Sequence, residues 1–225
     1  MDFRPVAVIF DMDGLLLDSE PVWHEAEREL ARLWDTDWTE EDARSCTGRG
    51  IPGTAARIAE VAQRTFDVDA HPRLLVDTFL ARADKVAPKP GARAIVRRLR
   101  ALDVPLGLGS SSPLRVVATL LGAQGLDGEF SAIVTADDVE LAEVKPEPHI
   151  FLRCAERLGV VAERCVVIED SLAGVTAAKR AGMRVIAVPD SASSSYNKDL
   201  HETADIVAQD LDAVGGLLAE WISRR

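Results

Sequence analysis

Apolar runs of three to five residues recur along the chain at 6–10, 104–108, 132–134, 165–168 and 185–188, each giving way to small or acidic residues. Such runs are too continuous for a half-exposed strand and too short for a helix, so they predict buried parallel strands. Helical spacing lies between them. Ile95, Leu99 and Leu102 space one helix, and Leu114, Val117, Leu120 and Leu121 a second. Ile150, Phe151, Cys154 and Leu158 space a third, closed by Gly159, while Leu172, Val175 and Ala178 make a fourth, ended by Gly182. This alternation predicts an α/β fold: a doubly wound, Rossmann-like parallel sheet.

One interval departs from the rhythm. From Asp18 to Val86 the pattern is helical throughout, with Val22, Ala26, Leu30 and Leu33 on one helix and Pro21 suited to its first turn. Ala55, Ile58, Ala59 and Ala62 suggest another helix, as do Leu75 and Phe79. A single crossover helix needs far fewer residues. The expected organisation is therefore a core domain from 1–17 and 91–225, with an inserted α-helical cap domain over 18–90. "APKPG" at 87–91 would return the chain to the core.

Composition narrows the class. A hydrophobic content of 47% in 225 residues can bury a real core. Lys and Arg number 26 against 37 acids, a formal charge of −11, which argues against a nucleic-acid or anionic-membrane partner. A small-molecule anion is compatible, because a site can be locally positive inside an acidic protein. Cys46, Cys154 and Cys165 form no CxxC pair, and Cys154 and Cys165, within apolar patterns, read as packing thiols of a reducing compartment. No secretory signal pattern and no run of ~20 apolar residues is present, so the expected location is cytoplasmic. A monomer is expected, with a dimer as the alternative.

Candidate chemistry gathers where the strands end. "FDMDGLLLDSE" at 10–20 puts Asp11 and Asp13 behind the first strand, and the period of two turns both to one side. The second strand leads to "GSSSP", the fourth to "IEDS", and Lys145 lies in "VKPEP" ahead of a helix. In an open parallel sheet, ligands bind outside the carboxyl ends of the strands. Asp11, Asp13, Glu169 and Asp170 should converge there. At ~4 Å and an effective dielectric of 20, each like-charge pair costs about 4 kcal/mol, so the cluster must take up protons or hold a cation. Hard oxygen donors around an open site favour Mg²⁺, which shares its shell with a phosphate. Ser110 and Ser111, beside the helix start marked by Pro113, offer that phosphate hydroxyls and N–H groups, and Lys145 offers an ammonium. Asp11 would attack phosphorus and Asp13 would move the proton. Each element alone has a plainer reading: Asp13-Gly14 as a turn, Ser112-Pro113 and Asp170-Ser171 as helix caps, Lys145 as a solvated charge. Together at one sheet edge they read as a site.

At this point the chain resembles the haloacid dehalogenase superfamily over essentially its full length. "DMDGLLLDSE" is similar to its first motif, "GSSSP" to its second, Lys145 in "VKPEPHIF" to its third and "VIEDSLAGVTAAKRAGM" to its fourth. The order of motifs and the helical insertion match the subclass with a helical cap. The resemblance implies a metal held by the Asp11 carboxylate, the Asp13 main-chain carbonyl and the Asp170 carboxylate, with Glu169 joining directly or through water. Dehalogenating members lack an aspartate at the position of Asp13, so its presence implies phosphoryl transfer. β-Phosphoglucomutases carry a histidine five residues after the aspartate matching Asp18; here Trp23 holds that place, and His24 lies about 100° further around a helix. "DSEPVW" is closer to sugar-phosphate phosphatases such as 2-deoxyglucose-6-phosphate phosphatase. The expected function is Mg²⁺-dependent hydrolysis of a small phosphate monoester, a sugar phosphate, through an aspartyl-phosphate, with a phosphosugar mutase as the alternative. Glu20 and Arg49 in "CTGRGIPG" are the candidate substrate contacts of the cap. A signalling receiver domain also uses an acidic cluster and a lysine, but resembles a single short domain with its phosphorylated aspartate after the third strand.

Overall fold

The computed structural model of the protein describes residues 3–46, 50–189 and 197–223. The chain divides into two compact units: one runs up to Asp18 and resumes at Pro88, the other is Ser19–Ala87.

The first unit opens with β1 (Ala7–Phe10), buried at every position, and reaches β2 (Leu17–Asp18). The second unit holds α1 (Glu20–Leu33), α2 (Glu40–Ser45), α3 (Gly50–Val61) and α4 (Ala70–Leu80). Beyond β3 (Ala87–Pro88) the first unit continues with α5 (Ala92–Ala101), β4 (Leu106–Gly109), α6 (Leu114–Gln124) and β5 (Ala132–Val134). Then come α7 (His149–Leu158), β6 (Cys165–Glu169), α8 (Leu172–Arg180) and β7 (Arg184–Ala187). The described chain ends with α9 (Asn197–Thr203), β8 (Ile206–Val207) and α10 (Leu211–Ser223).

Six strands form one parallel sheet in the order β5-β4-β1-β6-β7-β8. The strand order reverses beside β1, which pairs with β4 on one side and β6 on the other. Crevices in open α/β sheets form at such reversals. Register brings the strand ends level: Phe10 aligns with Leu108 and Ile168, so the next residue of each strand reaches the same edge. On one face, Ala7, Ile9, Val167 and Val185 pack against Ile150, Phe151 and Cys154 of α7 and Val175 and Ala178 of α8. The apolar spacing of those two helices buries one stripe each against the sheet. Cys154 and Cys165 belong to this core, and burial pushes their thiols up to about 12 and about 11. All three cysteines are free and buried, as packing thiols are.

Three apolar positions that helical spacing placed on buried faces lie outside: Leu33, Leu102 and Leu114 are all exposed. Leu33 ends α1, Leu102 caps α5 and Leu114 opens α6, so each sits where a helix has run past the surface it covers. The strand β8 and helices α2 and α9 give no strong period in the sequence, whereas α10, although not among the expected helices, buries Leu211, Val214, Leu218 and Trp221 at helical spacing. α2 is one capped turn and a half with no buried residue, held instead by a capping box in which Thr39 and Asp42 each accept the other's backbone N–H.

Within Ser19–Ala87, α1 packs on α3 and α4. Trp23 stacks on Phe79, with ring centroids 3.8 Å apart and 16° between planes. Trp38 donates its indole N–H to the buried Glu27 carboxylate at 3.1 Å. Both tryptophans therefore serve packing. Ion pairs Glu25–Lys85 and Glu29–Arg82 tie the start of the unit to its end.

Candidate active site

The residues that end β1, β4 and β6 meet at the carboxyl edge of the sheet. Asp11 follows β1 directly and donates its backbone N–H to Ile168 O, which locks it beside β6. Its side chain is buried, at 8% exposure. Lys145 reaches in from the segment before α7 with a side chain 6% exposed. Its ammonium donates to Asp11 Oδ1 at 2.5 Å, to Glu169 Oε1 at 2.8 Å and to the Gly109 carbonyl at 2.8 Å. All three of its N–H groups are thereby used. The Phe151 ring lies beneath it, 4.7 Å from Nζ to the ring centroid.

Glu169, at 1% exposure, is held from both ends. Oε2 accepts the backbone N–H of Asp170 and of Ser171 and the Ser171 hydroxyl, all within 2.8–2.9 Å. Ser171 Oγ in turn accepts from Gly174 N at 3.0 Å, capping α8. Gly174 has no room for a side chain, since a Cβ there would stand 1.6 Å from Glu169 Oε1. Asp170 lies against the turn after β1: a Cβ on Gly14 would be 2.2 Å from Asp170 Oδ2. Gly14 also has φ +82°, so turn geometry and close approach both require glycine there.

Asp13 points to the strand-β4 side of the site. Its Oδ2 accepts the Ser112 hydroxyl at 2.8 Å and the Ser110 hydroxyl at 3.2 Å. Ser110 is fully buried and accepts from Ser112 N at 3.0 Å. The middle serine, Ser111, is exposed and makes no side-chain bond to this cluster. The structure thus brings the Ser110 hydroxyl, but not that of Ser111, to Asp13. The period of two that aligned Asp11 with Asp13 also aligns Ser110 with Ser112 and turns Ser111 away.

Burial and charge shift the titrations together. Burial disfavours the Asp11 carboxylate, Glu169 and Asp13 add repulsion, and the ammonium of Lys145 only partly compensates, so the group is pushed up to about 8. Burial by itself would lower Lys145, but Asp11 and Glu169 outweigh it and hold the ammonium above its ordinary range. The cluster thus contains more negative charge than one lysine balances. Among the described residues, ligand oxygens of Asp11, Glu169 and Asp170 lie within 4.8 Å of one another. Three carboxylates with no nitrogen or sulfur donor, short of positive charge, fit a hard divalent cation. Asp13, whose carboxylate is engaged by serines, would offer such an ion its main-chain oxygen, as the resemblance implies.

Of the two expected substrate contacts, Glu20 is exposed at the first turn of α1 in the helical unit, and Arg49 lies outside the described residues. Four contributors escaped sequence reasoning: Ser112, the Gly109 carbonyl, Phe151 and Gly174. Only Ser112 had a legible signal; the others work through backbone or space.

The family profile haloacid dehalogenase-like hydrolase matches residues 6–182. The chain belongs to that family. It is 33% identical over 212 residues to hexitol phosphatase B of Escherichia coli K12, covering 89% of this chain and 90% of that one. Against the fructose-1-phosphate phosphatase YqaB of the same strain, identity is 34% over 192 residues, with 82% and 97% of the two chains covered. A crystal structure of β-phosphoglucomutase from Clostridium difficile superposes with a TM-score of 0.79, covering 98% of this chain and all of that one at 23% identity. That likeness concerns the fold. The family profile and the two phosphatase relatives carry the family assignment, and the six-stranded parallel sheet shows its α/β fold.

Proposed function

We propose that this chain is a Mg²⁺-dependent phosphatase that hydrolyses a small phosphate monoester, a sugar phosphate, through an aspartyl-phosphate. The observation that carries the reading is the division of labour between the two aspartates. Asp11 is tied to the cation Lys145 and to the acidic cluster, whereas Asp13 is tied to hydroxyls. One carboxylate, beside an ammonium and at the edge of the acids that would hold a metal, suits attack; the other, among hydroxyls, suits proton exchange. The named phosphatase relatives support the substrate class.

A bound Mg²⁺ would supply charge that keeps Asp11 ionised and polarises the phosphoryl oxygens. A carboxylate oxygen of Asp11 forms the new bond to phosphorus while the bond from phosphorus to the ester oxygen breaks. Asp13, protonated at that moment, gives its proton to the leaving alkoxide. A water then attacks the aspartyl-phosphate, Asp13 takes back a proton, and inorganic phosphate leaves with Asp11 restored. Lys145 balances the charge on the transferring group, and Ser110, whose hydroxyl donates to Asp13 here, would turn that donor to the phosphoryl oxygens.

The mutase alternative shares these first steps and differs in returning the phosphoryl group to a second sugar hydroxyl. The replacement of the mutase-type histidine by Trp23, which stacks on Phe79, favours hydrolysis. A panel of phosphorylated sugars and polyols, assayed for released phosphate with Mg²⁺ and with EDTA, tests the proposal. Release on at least one sugar phosphate, abolished by EDTA and reduced at least ~10³-fold in Asp11→Asn, is the expected result. Wild-type turnover in Asp11→Asn would remove Asp11 as nucleophile, and positional migration without release would favour the mutase.

A further inference from the structure

Lys145 and a divalent cation draw on the same carboxylates. Its ammonium contacts Asp11 at 2.5 Å and Glu169 at 2.8 Å, two of the three residues whose oxygens converge within 4.8 Å. No N–H remains uncommitted, because the third is held by the Gly109 carbonyl. Phe151 backs the ammonium from the core, and the side chain is almost fully enclosed. The lysine therefore cannot drift into solvent when a metal arrives. It stays beside the cluster and opposes the incoming charge.

We infer that Lys145 is a resident counter-ion that sets the metal affinity of this site: it holds the carboxylates together when metal is absent and keeps bound metal weak and exchangeable. The inference rests on the metal-dependent reading above and extends it from catalysis to metal loading. Two buried carboxylates without a cation are costly, so some positive charge must remain with them in the metal-free fold. A second cation a few ångströms from the first then binds against repulsion. The enclosed lysine accordingly exchanges metal-free stability for looser metal binding.

The test uses the whole chain without substrate. Mg²⁺ binding by calorimetry is compared in wild type, Lys145→Met, which keeps the apolar stem, and Lys145→Arg, which keeps the charge. Lys145→Met should bind Mg²⁺ at least on the order of tenfold more tightly than wild type, because the repelling charge is gone. Lys145→Arg should stay within a few-fold of wild type. Metal-free Lys145→Met should melt below wild type, and saturating Mg²⁺ should raise its Tm by more than it raises the wild-type value. Equal or weaker Mg²⁺ affinity in folded Lys145→Met would overturn the inference. If that variant is unfolded without metal, recovery of native circular dichroism on Mg²⁺ titration supports it, and no recovery overturns it. These readouts are separate from phosphate release: tighter Mg²⁺ in Lys145→Met with a blank substrate panel would sink the phosphatase reading and leave the counter-ion inference standing.

Discussion

At the scale of single residues, absence of a side chain counts as much as presence. Gly174 is the clearest case, since the space its Cβ would take is occupied by the Glu169 carboxylate. Gly174→Ala should displace Glu169, loosen its grip on Lys145 and unseat the turn through Asp170 and Ser171. A misplacement of about 1 Å in such a constellation costs on the order of 10²-fold in rate. The expected outcome is a fall of that size in kcat/KM for phosphate release, with the circular dichroism of the folded chain retained. A wild-type rate would show that Glu169 does not need its observed place. The aspartates were legible in the sequence because charged residues directly after apolar runs are conspicuous, and Lys145 because it lies in "VKPEP" just ahead of a helix. Gly174 was not, because a glycine inside a helix carries no mark of what fills the space beside it.

At the scale of elements, packing decides which parts of a periodic pattern are used. The helical unit rests on α1 against α4, with Trp23 lying flat on Phe79 and Phe79 fully buried. Phe79→Ala removes both the ring stack and the core volume, and should destabilise the unit by about 3–5 kcal/mol, read from the denaturant midpoint. A change below about 1 kcal/mol would mean that the unit collapses onto the gap. The exposed pair Glu25–Lys85, screened by solvent, should matter far less. The strands β1, β4, β5, β6 and β7 all arose near the expected apolar runs, because burial on both faces leaves an unbroken apolar run. The two-residue strand β8 did not, being half-buried at the sheet edge and paired on one side only.

At the scale of the whole molecule, the charge cluster links folding to pH and to metal. Asp11 has its carboxyl raised from 3.8 to about 8 in the folded chain. The folded state therefore holds this proton more tightly than the unfolded state. Its contribution to stability is present at low pH and is lost as pH rises through about 8. Without metal, the stability difference between wild type and Asp11→Asn should shift against wild type as pH rises from about 5.5 to 8.5. Saturating Mg²⁺ should flatten that slope, since the cation replaces the proton. Chemical denaturation across this window, with EDTA and with Mg²⁺, measures both effects; identical pH slopes in the two proteins would remove Asp11 as the source.

By itself the sequence determined the kind of sheet, the helical interruption between Asp18 and Pro88, and the chemical types gathered at the strand ends. Those features follow from local regularities: a period of two or of 3.6, and charge set directly behind an apolar run. Only the tertiary structure decided how the acids are shared out. It gave Asp11 and Glu169 to Lys145, gave Asp13 to Ser110 and Ser112, and turned Ser111 outward. It also assigned Leu33, Leu102 and Leu114 to the exterior, although their spacing fits buried faces. The physical reason is common to all of these. Periodicity states which side of its own element a residue faces, whereas a partner, a carbonyl or an occupied space belongs to another element brought near by long-range pairing in the sheet.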